Sequence, residues 1–208
     1  NNPTGAVLHS EDVLDLSRLA RKHKTLLILD EAFIEFTEES KETPIISESV
    51  VKGYSLVLRS LTKFFAMPGL RLGYAIGHER IIEKITKLQY PWNVNVLAQL
   101  AGEKVLAEES YMNRTRLFLA AERKYMFERL GDIKGLKVYP ASANFILCKL
   151  RNSPIQSSDE LTQLLLREGI YIRACGNFRG LNNRFFRVAV KKRDDNNLLI
   201  NGIKRAMR

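Results

Sequence analysis

Val57-Leu58-Arg59-Ser60-Leu61-Thr62-Lys63-Phe64-Phe65-Ala66-Met67-Pro68-Gly69-Leu70-Arg71-Leu72-Gly73-Tyr74 is the stretch on which the fold turns. The apolar run Ser55 to Leu58 leading into it has the length of a buried strand, and Leu72 to Ile76 is a second apolar run. Between them stand two hydroxyls at alternate positions, Ser60 and Thr62, then Lys63 and, eight residues later, Arg71. One strand end thus gathers hydroxyls, an ammonium and a guanidinium. That set suits a phosphate ester and, through the lysine amine, a carbonyl able to form a Schiff base. A bare S-x-[ST]-K is a common surface pattern, so the rest of the chain has to carry the reading.

Upstream, Thr25 to Leu29 is a continuous aliphatic run ending at Asp30-Glu31, as expected of a parallel strand covered on both faces. Asp30 then lies at a carboxyl end, where open α/β sheets bind ligands. Before that run, Ser10 is placed to cap a helix with Glu11 and Asp12 in its first turn, Val13, Leu16, Leu19 and Ala20 on its apolar face and an end near His23-Lys24. Asn1-Asn2-Pro3-Thr4-Gly5 is a tight polar loop feeding this helix with no strand ahead of it, which suggests a chain trimmed from a longer one. Glu38 to Val50 is a polar excursion. Strands alternating with helical or looped crossovers predict a predominantly parallel sheet.

Downstream, His78 to Gln89 reads as an amphipathic helix stopped at Tyr90-Pro91, a second helix starts near Asn95, and a long one runs from about Ser110 to Leu130. After Gly135 come short strands, Leu136 to Tyr139, Asn144 to Leu150 and Phe185 to Val190, with helices Ser158 to Glu168 and Asp194 to Met207. The expected division is therefore an α/β domain over 1–130 and an α+β domain over 131–208, with the boundary near Arg129 to Gly135.

A chain of 208 residues, 45% apolar and with six prolines, can bury a sizeable core. Eighteen consecutive apolar residues occur nowhere, which argues against a membrane span. Cys148 and Cys175 lack CxxC or metal-type spacing, so no metal site is expected, and two free thiols fit a reducing, cytoplasmic setting. The net charge of +10 is scattered apart from Lys191-Lys192-Arg193, which argues against nucleic acid. Leu26 to Glu31 alone resembles a Walker B strand, but this chain holds no GxxxxGK[ST].

Asp30-Glu31-Ala32-Phe33-Ile34-Glu35-Phe36, with Asn2-Pro3-Thr4-Gly5 before it and Ser60-Leu61-Thr62-Lys63 after it, resembles the pyridoxal-phosphate enzymes of the aspartate aminotransferase fold, fold type I, in order and spacing. The resemblance runs over nearly the whole chain and implies the carboxyl-terminal part of such an enzyme. It makes 1–130 part of the large cofactor-binding domain, without its amino-terminal portion, and 131–208 the small domain. It implies pyridoxal 5'-phosphate as cofactor and Lys63 as the residue that bonds it and moves protons at the substrate alpha carbon. Asp30 would keep the pyridine nitrogen protonated; Ser60, Thr62 and Arg71 would hold the cofactor phosphate; Asn2 would donate to its phenolic oxygen. Phe33 stands where most relatives carry a tyrosine with a donor to that same oxygen, and phenylalanine cannot donate. Arg187 would grip the substrate carboxylate, with Arg173 as a second cation.

Within that superfamily Pro91-Trp92-Asn93-Val94-Asn95, Ala143-Asn144-Phe145 and Arg173 to Leu181 are similar to the threonine-phosphate decarboxylases of cobalamin biosynthesis. Histidinol-phosphate aminotransferases share most of these blocks, so a transaminase remains the alternative; a ligand-sensing domain of a transcription regulator is the alternative of another class. The resemblance further implies a small phosphorylated amino-acid substrate, a homodimer for the full-length protein and an isolated 208-residue piece without activity.

Overall fold

A computed structural model describes residues 1–37, 46 and 52–207. The expected excursion from Glu38 to Val50 lies outside the described residues apart from Ile46. The chain divides into two compact units, one of 8–116 and one of 1–7 with 117–208. The division falls inside the long helix, and the opening loop groups with the carboxyl-terminal unit.

In the first unit, helix α1 (Ser10–Lys22) precedes β1 (Leu27–Asp30), β2 (Ser55–Ser60), the one-turn helix α2 (Leu61–Phe64), β3 (Gly73–Gly77), α3 (Glu79–Leu88) and α4 (Val96–Leu106). The residue capping α1 is His9, in extended conformation and with no side-chain cap bond, so Ser10 is already helical, one position later than expected of a cap. Helices α3 and α4 do have side-chain caps: His78 accepts from the Arg80 amide, and Asn95 from that of Ala98 at 2.8 Å. A buried hydrogen bond of 2.7 Å between Ser17 and Ser55 pins α1 to β2.

Strand β1 pairs with β2 in parallel, Leu27 facing Ser55 and Asp30 facing Leu58, as expected. Strand β3 departs from the expected parallel order: it pairs with β2 antiparallel, Ser60 facing Gly73 and Leu56 facing Gly77. The reason lies in the connection. Residues 61–72 hold only α2 and a 3-10 turn, Pro68–Leu70, and return the chain to the edge it left. Parallel pairing needs a crossover that travels the length of the sheet. At the return Gly73 is required, because a Cβ there would stand 2.7 Å from the Arg59 carbonyl oxygen. The core beneath is aromatic: Phe36, Phe64 and Phe65 are buried, and Tyr111 closes the group by stacking on Phe65 and donating to the Phe64 carbonyl at 3.1 Å.

Helix α5 (Glu109–Gly131) carries the chain into the second unit, with β4 (Leu136–Val138), β5 (Phe145–Leu150), α6 (Ser158–Leu166), β6 (Arg173–Ala174), β7 (Phe185–Ala189) and α7 (Arg193–Ala206). Its four strands form an antiparallel sheet of order β4-β5-β7-β6. Ile146, Cys148, Leu150, Phe186 and Val188 alternate onto one face and are essentially inaccessible, as are Leu161 and Leu165 of α6 and Ile203 of α7. Buried Glu122 and Asn196, with the half-exposed Arg193, tie α5 to α7: Asn196 Nδ2 donates to Glu122 Oε2 at 2.8 Å, and Arg193 Nη2 to Glu122 Oε1 at 2.7 Å.

Candidate active site

Strand alternation sorts the side chains at the carboxyl ends of β1 and β2. Asp30 faces Leu58 across the ladder, so Asp30, Leu58 and Ser60 share one face, while Glu31 and Arg59 belong to the other. Ser60 is the residue from which α2 springs, and one turn later Lys63 Nζ donates back to Ser60 Oγ at 3.1 Å. The same ammonium lies 5.5 Å from the centre of the Phe33 ring, so Phe33 makes a cation–π contact with it. Asp30 turns one carboxylate oxygen to the Ala32 amide at 3.0 Å. Asp30 and Lys63 are both exposed, open to a ligand rather than buried.

The loop after Lys63 is held in an uncommon backbone. Ala66 and Arg71, neither of them glycine, sit in the left-handed region with φ of 52° and 53°. Such residues persist where surrounding structure over-determines them, and they concentrate at functional sites. Arg71 Nη1 donates to the Pro68 carbonyl at 3.2 Å, and Thr62 Oγ1 stands 3.4 Å from the Leu72 carbonyl, a weak bond a better acceptor could replace. The structure brings Lys63 into contact with both Ser60 and Phe33; Thr62 and Arg71 satisfy their side chains on the backbone of the same loop.

The other predicted residues belong to the second unit. Arg187 Nη1 donates to Asn2 Oδ1, so the donor of the Asn2 side chain is its Nδ2. The Arg187 guanidinium covers the Phe145 ring at 4.6 Å, and Arg173 is its direct cross-strand neighbour. Arg173 is exposed, donates to Asn177 Oδ1 at 3.1 Å and lies over Phe178. Burial, with Cys175 acting against it and Arg173 with it, holds Arg187 below the ordinary arginine pKa; arginine starts so high that it stays a cation. Two guanidiniums side by side, with no carboxylate among the described residues hydrogen-bonded to either, make a receptor for a carboxylate or a phosphate. Cys175, close by, is buried and its Sγ contacts the Arg173 carbonyl at 3.4 Å; burial raises its pKa despite both arginines, so it is a packed thiol. Trp92 is 96% exposed and does not cap α4.

Residues 1–203 match the family described as aminotransferase class I and II. The chain belongs to that family. The aminotransferase-family chain is 38% identical over 211 residues to the threonine-phosphate decarboxylase of Salmonella typhimurium, covering 100% of this chain and 56% of that protein. It is 35% identical over 205 residues to the histidinol-phosphate aminotransferase of Thermoanaerobacter sp., covering 98% and 54%. The solved histidinol-phosphate aminotransferase of Clostridium acetobutylicum superposes with a TM-score of 0.92 at 36% identity, over 100% of this chain and 61% of that one. The chain thus spans little more than half the length of the curated relatives it matches. The α/β fold of pyridoxal-phosphate transferases, implied by the resemblance of the Asn2, Asp30 and Lys63 motifs, is the fold observed.

Enzymes of this family, transferases and lyases, use pyridoxal phosphate. The donor set suits that group. A primary amine matches an aldehyde, Ser60, Thr62 and Arg71 offer neutral and charged donors to a phosphate dianion, and Asp30, on the face of Ser60, offers a carboxylate to a protonated ring nitrogen. Among the described residues no group of histidine, cysteine or carboxylate side chains could hold a metal ion, and no helix is long and apolar enough to cross a membrane.

Sequence reasoning missed Glu31, Glu35, Arg59 and Arg116, which form a partly buried ion cluster in the first unit. Part of the signal was present: alternation turns Glu31 and Arg59 away from Asp30 and Ser60. Arg116 could not be found this way, being 81 residues from its partner.

Proposed function

We propose that the protein decarboxylates L-threonine O-3-phosphate to (R)-1-amino-2-propanol O-2-phosphate, a step of cobalamin biosynthesis, with pyridoxal phosphate as cofactor. The observation that carries this reading is the 38% identity to the Salmonella decarboxylase across the entire chain. When bound, pyridoxal phosphate supplies an electron sink for the pair released at the substrate alpha carbon. Lys63 would hold the cofactor through Nζ until the substrate amine takes its place, and the lysine amine so released would deliver a proton to the alpha carbon. Ser60, Thr62 and Arg71 bind the cofactor phosphate through hydroxyl and guanidinium donors. Asp30 holds a proton on the ring nitrogen by charge pairing. Asn2, its Oδ1 already engaged by Arg187, donates from Nδ2 to the phenolic oxygen. Arg187 takes the substrate carboxylate, and Arg173 adds a second positive charge for an anionic substrate. Phe33 offers Lys63 a ring face and no proton.

On this reading 1–130 contributes to a large cofactor-binding domain and 131–208 forms a small domain; the resemblance adds a homodimer working in the cytoplasm. A second reading, histidinol-phosphate transamination, is favoured by the likeness to the Clostridium enzyme. Assaying the whole protein with threonine phosphate, following carbon dioxide, and with histidinol phosphate plus 2-oxoglutarate, following glutamate, separates the two. Carbon dioxide release without glutamate formation is expected; glutamate formation alone would replace the decarboxylase by the transaminase.

A further inference from the structure

The roles assigned above leave four charged side chains of the first unit unused. Arg59 donates from Nε to Glu31 Oε2 and from Nη1 to Glu35 Oε1, both at 2.9 Å. Arg116 donates from Nη2 to Glu35 Oε2 at 2.7 Å and from Nε to the Glu35 carbonyl at 3.0 Å. All four side chains are only 10–15% exposed. Burial acts against the Arg59 cation, and Glu31 and Glu35 outweigh it, so its pKa stands above the ordinary arginine value. Two cations balance two anions. Among the described residues the group is nonetheless one acceptor short, since Arg59 Nη2 is buried and finds no hydrogen-bond partner there. A partly buried ion cluster with an unmet donor is a poor device for stability alone, because desolvation consumes most of the Coulombic gain.

Its place in the chain gives it another use. Glu31 directly follows Asp30, and Arg59 directly precedes Ser60, each pair pointing to opposite faces of the sheet. Glu35 lies in the 3-10 turn Ile34–Phe36, just after Phe33, whose ring faces the Lys63 ammonium. The bond from the Glu31 amide to the Leu58 carbonyl, 2.8 Å, closes the β1–β2 ladder. Beyond that bond the cluster is what continues the tie between the two strand ends, and Arg116 anchors it to α5.

We propose that Glu31, Arg59, Glu35 and Arg116 form a positioning cluster that fixes the carboxyl ends of β1 and β2 from behind, and with them Asp30, Ser60 and Lys63 on the opposite face, in the arrangement that binds the cofactor. The proposal rests on the pyridoxal-phosphate reading. Glu35 is its centre, since one carboxylate receives both guanidiniums. Glu35→Gln removes the charge that Arg59 and Arg116 share, and the strand ends lose their common anchor while the backbone ladder stays. Arg116→Lys keeps the charge and loses the fork, so its effect is smaller and of the same kind.

The test uses the whole protein, stripped of cofactor and titrated with pyridoxal phosphate by absorbance, about ten degrees below the melting transition of each variant. Glu35→Gln is expected to raise the cofactor dissociation constant at least tenfold and, at saturating cofactor, to lower kcat with substrate KM within twofold. Arg116→Lys is expected to raise it about threefold. Glu122→Gln, in the ion pair of the other unit, is the control: it lowers the melting temperature and leaves the cofactor dissociation constant within twofold. A Glu35→Gln protein that melts earlier yet binds cofactor like wild type overturns the proposal, as does a Glu122→Gln protein that weakens cofactor equally. Should Glu35→Gln not fold, wild-type affinity in Arg116→Lys overturns it by the same measure. A wild-type protein that takes no pyridoxal phosphate fails at the first titration, which removes the cofactor reading and this cluster's role together; wild-type binding with unaffected variants removes the cluster's role alone.

Discussion

The two units handle their sheets in opposite ways. In the second unit one face of the antiparallel sheet is closed, with Phe186 at 0% exposure among Ile146, Leu150 and Val188, and the chemistry is written on the reverse face as cations over rings: Arg187 on Phe145, Lys149 on Phe185. In the first unit the face that carries Asp30 and Ser60 also carries Ile28, 57% exposed, and Leu58, and its chemistry stands at the strand ends. A closed core fixes side chains by close packing. On the face of Asp30 and Ser60, Leu56 is buried while Ile28 and Leu58 towards the strand ends are exposed, and there the proposed ion cluster behind the strands would do the holding. If the proposed cluster holds the strand ends, side chains are fixed by packing in one unit and by charge in the other.

The largest effect should follow from Lys63→Ala. Removing the amine takes away both the covalent attachment and the proton carrier, so turnover of the whole protein should fall by about 10²–10⁴-fold or more. Borohydride treatment of wild type, with the adduct mapped by mass spectrometry, should place the cofactor on Lys63; an adduct on any other lysine would end the assignment.

Packing comes next. Phe186→Ala should cost about 3–5 kcal/mol in urea unfolding of the 208-residue chain, and Ile28→Ala about 1 kcal/mol or less, because little apolar surface leaves water at that site. Equal costs would break the contrast between closed and open sheets. Arg187→Lys should raise substrate KM about 10–100-fold in the whole protein, since a lysine cannot reproduce the bidentate fork. A change confined to kcat would mean that Arg187 acts only by holding Asn2.

The sequence made the strand-end chemistry legible because hydroxyl, amine and carboxylate all sit within a few residues of strand ends, where local periodicity is strong. Burial of Leu56 and Val57 followed from the apolar run read as a buried strand, whereas Leu58 at its end is exposed. The antiparallel turn of β3 was not legible, since an apolar run does not state its direction. Two-residue β6 carried too short a pattern to register. Contacts between distant positions, Arg187 with Asn2 and Arg116 with Glu35, depend on tertiary packing that no local period encodes.

The smallest effect concerns acid stability and belongs to the second unit. Glu122 is 6% exposed and accepts from Arg193 and Asn196; the Arg193 hydrogen bond, against the opposing influence of burial, lowers its pKa below the ordinary glutamate value. A carboxyl whose folded pKa lies below its unfolded one adds stability in full above the unfolded pKa and loses it as pH falls through the folded value. Stability should therefore decline on acidification below about pH 4. Half of the Arg193 side chain is exposed, which screens the pair, so the loss should be small. In Glu122→Gln this part of the acid limb should vanish, leaving a protein less stable at pH 7 and closer to wild type at pH 3. Parallel curves for the two proteins across that interval, measured by urea unfolding, would show that Glu122 binds its proton equally in both states and that the buried pair holds α5 to α7 by hydrogen bonding without charge.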